Sequence, residues 1–182
     1  MNEPPLGCIG VVDTGGKYSR AIKWFTNSPM SHAVVSVGDH ELVEGEPGGA
    51  RVMPIDEYGD RIVWLTDMRV TDIDGYRGAL LEPTDGQRAK IADTALDLAA
   101  RRVKYNWLDF IPLALASPRL RLLDPAHLPM WAKRMASDET LVCSQLADLC
   151  WSRAGLHIFE GRVPGMVSPG DLYRAGGSPK VP

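Results

Sequence analysis

Between Ser31 and Val70 four runs of strand character, SHAVVSVG, ELVEG, ARVMPI and RIVWLTDMRV, are separated only by GDH, EPGG and DEYGD. Connections this short cannot carry a crossover helix, so successive runs are expected to pair antiparallel as a meander. At Asp85 the period changes from that of a strand to that of a helix. In DGQRAKIADTALDLAARRV the apolar residues Ile91, Ala95, Leu98 and Ala99 fall on one side, which predicts an amphipathic helix with one face to bury. Strands in one block and helices in another give an α+β class, an antiparallel sheet packed against helices.

Other elements fit around this frame. GCIGVVDTG reads as a strand ended by a glycine turn, and KYSRAIKWFTNS as a helix with Ile22 and Phe25 at helical spacing before Pro29. NWLDFIPLALA is a second helical segment, and the proline-punctuated region around 117–138 an excursion over the surface. A further helix occupies TLVCSQLADLCWSRAG, with Thr140 as N-cap and Gly155 as its stop. VSPGDLYRAGG leads into a short helical turn and a tail expected to fray from about residue 175. No repeat or linker divides the 182 residues, and domains commonly hold roughly 100–200 residues, so one domain over 1–182 is expected.

Composition narrows the function. A formal net charge of −3 leaves no basic excess to neutralise phosphates, so no nucleic-acid partner is expected. In RLRLLDPAHLPMWAKR the residues Arg119, Arg121, Lys133 and Arg134 alternate with apolar ones; this reads as a solvated amphipathic face, with a peripheral membrane or acidic-ligand contact left open. The start MNEPPLG lacks a basic region followed by an apolar core, and FIPLALA, broken by Pro112, is far short of a membrane span. A soluble cytoplasmic protein is the expectation. Three cysteines, Cys8, Cys143 and Cys150, are an odd and scattered set, which fits a reducing compartment rather than a disulfide framework.

Cys143 is the candidate nucleophile. It falls in the first turn of its helix, where unpaired N–H groups and the helix dipole favour a thiolate. Cys150, seven residues on, and Cys8, inside a strand, read as core. No pair among Cys143, Cys150, His127 and His157 has the close ligand spacing of structural zinc, so neither a metal nor another cofactor is expected. A cysteine nucleophile needs a base, and the base an orienting group. Of the histidines, His127 and His157 lie in loops and His40 in the GDH turn, whereas His32 begins a strand. With a three-residue GDH turn, Val37 opposes Glu41 and Val34 opposes Glu44, placing Glu44 on the His32 face along a diagonal. A two-residue turn shifts the register and brings Glu46 or Glu41 into question instead.

With those residues in place, the chain resembles a circularly permuted papain-like hydrolase of the NlpC superfamily, in the branch with YiiX-type proteins and lecithin retinol acyltransferase. The resemblance rests on SHAVVSV, ELVEG, VKYNWLDF, CSQLADLCWSRAG and VSPGDL, in family order over most of the chain. Permutation accounts for a histidine that precedes the cysteine. The resemblance implies Cys143 as nucleophile, His32 as base and Glu44 as orienting residue. Tyr105, with Ser31 and Ser144 beside the histidine and cysteine, then belongs to the substrate or oxyanion region. It further implies a cysteine hydrolase acting on an amide, ester or thioester, in a cell-wall-type peptide or a lipid-like acyl substrate. Two alternatives share the fold: an acyltransferase using the same thioester, and a silent module that binds peptide or lipid.

Overall fold

The computed structural model describes residues 3–71, 77–104, 114–115, 120, 122, 142–162 and 166–176. Within them the chain runs β1 (Ile9–Val12), α1 (Gly16–Thr26), β2 (His32–Gly38), β3 (Glu41–Glu46), β4 (Gly49–Pro54), β5 (Ile62–Leu65), β6 (Met68–Thr71), β7 (Arg77–Leu81), α2 (Asp85–Ala100), α3 (Cys143–Arg153) and α4 (Pro169–Ala175). The class is α+β. An antiparallel sheet has the order β4-β3-β2-β1-β5, and β6 and β7 form a separate ribbon. The expected helix NWLDFIPLALA and the excursion around 117–138 lie almost wholly outside the described residues, as does the tail beyond Gly176.

The meander is shorter than the spacing of the runs suggests. β2, β3 and β4 follow one another across the sheet, but the fourth run splits at Thr66 and Asp67 into β5 and β6. β5 crosses to the far edge and pairs with β1, from Ile9↔Leu65 to Val12↔Ile62. The reason lies in β1, whose four residues are all buried. An apolar strand of that kind needs a neighbour on both edges, because unpaired backbone N–H and C=O groups in the interior are costly. β7 escapes a reading by pattern since its run, RGALL, holds weak β formers.

The β2–β3 link also differs from expectation. Its turn has two residues, Asp39 and His40, both left-handed with φ of 51° and 58°, the geometry suited to a tight hairpin. Gly38, not Val37, therefore faces Glu41. A β-bulge between Ser36 and Gly38 then takes up one residue, and beyond it Val35 faces Val43 and Val34 faces Glu44. The bulge restores the side-chain parity that the short turn alone would have inverted.

Two apolar clusters clamp this sheet. The larger joins Ile9, Val35 and Val43 to Ile91 and Leu98 of α2 and to Leu146 and Trp151 of α3. Trp151 is fully buried, and its indole N–H donates to the Gly7 carbonyl at 3.1 Å. Thr84 caps α2 reciprocally with Gln87. On the opposite face Val12, Val34, Leu42, Ile55 and Ile62 form a smaller cluster with Tyr58 and Trp64 packed on it. Gly10 makes that packing possible, since a Cβ there would lie 2.7 Å from Val34 Cγ2, 2.8 Å from Ile62 Cγ2 and 2.9 Å from the Trp64 ring. Gly10→Ala is expected to destabilise the fold by about 1–3 kcal/mol through overpacking, read as a lowered urea midpoint with unchanged slope.

Candidate active site

β2 begins at His32, which pairs with Val12 of β1 and is 7 % exposed. Two residues along β2, Val34 faces Glu44 of β3, so His32 and Glu44 stand diagonally on one face. Their side chains meet: His32 Nε2 lies 2.8 Å from Glu44 Oε2. Glu44 is fully buried, and a buried carboxylate must be neutralised by partners. Arg51 supplies two, donating from Nε and Nη2 to Glu44 Oε1 at 2.8 and 2.7 Å, and Tyr58 donates its hydroxyl to Oε2 at 2.6 Å.

Cys143 comes near the imidazole from α3. Thr140, the expected N-cap, lies outside the described residues, and the cap position belongs to Val142. Valine offers no side-chain acceptor, so the helix start is held instead by Gln145, whose Oε1 accepts the Val142 N–H at 3.1 Å. Cys143 thus becomes the first helical residue, with a backbone N–H that has no intrahelical acceptor. At the other end Gly155 adopts φ of 81° just after the helix, as a stop should. The Cys143 sulfur lies near enough to the His32 imidazole to act on its charge.

Charge is distributed to match. Burial pushes the His32 imidazole down, but the charge and hydrogen bond of Cys143, together with Glu44, outweigh it and raise its pKa to about 10. Glu44 runs the opposite way. Burial pushes it up, yet hydrogen bonds from His32 and Tyr58, the charge of His32 and the bonds from Arg51 hold it at about 2. Burial and the adjoining Glu44 push the Tyr58 phenol well above its ordinary range, so it keeps its proton.

Of the residues expected around this centre, Cys143, His32 and Glu44 are brought together, while Ser31 and Ser144 are engaged elsewhere. Ser144 donates to the Val167 carbonyl at 2.6 Å, tying the start of α3 to the segment before α4. Ser31 accepts from the Thr14 N–H at 3.1 Å and lies 2.8 Å from the Ser19 hydroxyl, which itself donates to Asp13 at 2.7 Å. Tyr105 and His127 lie outside the described residues. Cys8 and Cys150 sit in the core with thiols pushed by burial up to about 12.

Two site residues were not anticipated. Arg51 faces Glu44 directly across the β3–β4 ladder, and a two-residue Pro47-Gly48 turn read from EPGG would have put it there. Tyr58 lies between two 3₁₀ turns, Ile55–Glu57 and Gly59–Arg61, that link β4 to β5, where no periodicity fixes a side-chain direction. The ligand atoms of His32, Glu44 and Glu46 lie within 4.8 Å of one another, a spacing compatible with a metal. The Arg51 guanidinium already bridges Glu44 and Glu46, reaching Glu46 Oε2 at 3.5 Å. A second cation there would be repelled.

Neither a protein-family model nor a curated protein matches the sequence.

Proposed function

We propose that this chain is a cysteine hydrolase of the circularly permuted papain-like, NlpC-type kind, acting in the cytoplasm on an amide, ester or thioester of a peptide or lipid-like acyl substrate. The observation that carries this reading is the convergence of Cys143, His32 and Glu44 from three separate elements, with the thiol at a helix start and both it and the carboxylate acting on the imidazole. In the reaction Cys143 Sγ bonds to the substrate carbonyl carbon, and the Cys143 backbone N–H helps hold the oxyanion. Collapse of that intermediate breaks the bond to the leaving group, which takes a proton from His32. Water, deprotonated by His32, then cleaves the acyl-enzyme and frees Cys143. Glu44 holds the ring in line throughout.

Cys143 is 1 % exposed, as covered as the core thiols Cys8 and Cys150. Burial alone therefore predicts three equally inert thiols, and an active site predicts one that reacts. Iodoacetamide alkylation at about pH 6, with modified residues identified by mass spectrometry, separates these. Selective modification of Cys143, slowed at least about a hundredfold by His32→Ala, is the expected result. Three sluggish thiols indifferent to His32 would overturn the proposal. Release of product with and without an added amine or alcohol acceptor then separates hydrolysis from acyl transfer.

A further inference from the structure

Among the described residues, every hydrogen-bond partner of Glu44 is a donor. Its Oε1 takes both hydrogen bonds from Arg51, and its Oε2 lies within bonding distance of the Tyr58 hydroxyl and of His32 Nε2. An ionised carboxylate can accept and cannot donate. All four contacts must then carry hydrogen on the partner, so His32 Nε2 carries a hydrogen whether the ring is neutral or charged. The remaining ring nitrogen, Nδ1, is the one left for Cys143.

From this saturation we infer that Arg51 and Tyr58 are positioning residues, which fix the charge and rotamer of Glu44 and through it the Nε2 proton and the direction of the His32 ring. The inference rests on the proposed role of His32 as the base, because a fixed Nδ1 matters only if a thiol is to use it. The two residues divide the work. Arg51, half-exposed on β4, lies over the buried carboxylate and neutralises it with a forked pair of N–H groups at one oxygen. Tyr58 shares the oxygen that His32 uses, and its ring lies tilted at 51° with its centroid 5.9 Å from that of the imidazole. It thereby blocks rotation of the carboxylate out of line. A lysine at position 51 would keep the charge and lose the fork. A phenylalanine at 58 would keep the ring and lose the bond.

Tyr58→Phe and Arg51→Lys in the full chain, labelled with ¹⁵N-histidine, test this without needing a substrate. In the wild type the His32 Nε2–H resonance is expected to exchange slowly and to persist into acid, while Glu44 stays ionised. Each variant removes a donor from that carboxylate, which makes it easier to protonate. The expected result is Nε2–H exchange at least about tenfold faster, acid loss of the resonance displaced to higher pH, and Cys143 alkylation slowed about tenfold. A merely structural role would lower the melting temperature and leave the Nε2–H exchange and its acid limit where they were; that outcome overturns the inference. The two proposals fail separately. If wild-type Cys143 is inert but both variants shift the His32 signal as stated, the hydrolase reading falls and the positioning role stands. If Cys143 is reactive and neither variant moves the His32 signal, the positioning role falls alone.

Discussion

Glu44→Ala is expected to lower the unfolding free energy by about 3–5 kcal/mol, because removing one partner from a buried ionic cluster leaves the others desolvated and unpaired. His32 loses its carboxylate, Tyr58 loses the acceptor for its hydroxyl, and among the described residues Arg51 keeps the longer contact with Glu46. Glu44→Gln retains an acceptor oxygen and should cost less. Urea unfolding followed by tryptophan fluorescence measures both. The pH dependence adds a second check. Folding depresses the Glu44 pKa from 4.5 to about 2, so its contribution is complete above the unfolded value and is lost as pH falls from 4.5 towards 2. Folding raises His32 from 6.5 to about 10, so its contribution is complete below 6.5 and is lost as pH rises towards 10. Glu44→Gln should remove the acid-side loss due to Glu44 and weaken the alkaline one. An Ala variant as stable as the wild type at about pH 7 would show that the cluster carries no net stability.

The placement of Glu44 also shows what in this fold is legible from residue order. Val34↔Glu44 follows from a three-residue turn, and it is observed with a two-residue turn followed by a bulge at Val37. Alternation specifies which face a side chain must take, and the chain meets that demand by whichever combination of turn and bulge its local residues favour. The helix of DGQRAKIADTALDLAARRV was equally readable, for Ile91, Ala95, Leu98 and Ala99 are all buried in α2. Its capping box and its apolar stripe give the same answer. The crossing of β5 was not readable. RIVWL has the same local pattern whether it continues the meander beside β4 or covers β1, and burial of β1 on both edges decides. Site chemistry divides the same way. His32 and Cys143 stand out because few roles require such residues at the starts of elements. Ser31 and Ser144 are ordinary hydroxyls until their neighbours Ser19 and Val167 are known. Nor does local sequence identify Tyr58, whose place depends on how the chain leaves β4.

Asp148→Asn is expected to stabilise the protein at neutral and alkaline pH by up to roughly 4 kcal/mol, the scale of a shift of about three pKa units. Asp148 lies on α3 and is 8 % exposed. Burial raises its carboxyl from 3.8 to about 7, with the charge of Arg162 only partly opposing. Arg162 has a prior commitment, since its Nη1 lies 3.2 Å from Asp171, which also takes Arg174 and the Ser168 hydroxyl at the cap of α4. Asp171 is held ionised by those groups, and Asp148 is left with the remainder. The sign follows from proton counts. Between pH 3.8 and about 7 the folded chain keeps a proton on Asp148 that the unfolded chain has released, so stability falls as pH rises through that window. Asparagine carries no charge at either end and should flatten this slope, leaving the wild-type loss above 6.5 that belongs to His32. Thermal melts from about pH 4 to pH 8 would separate the two contributions. A slope between those values that is identical in wild type and variant would mean that Asp148 ionises freely in the folded state, through a route to solvent or a partner other than Arg162.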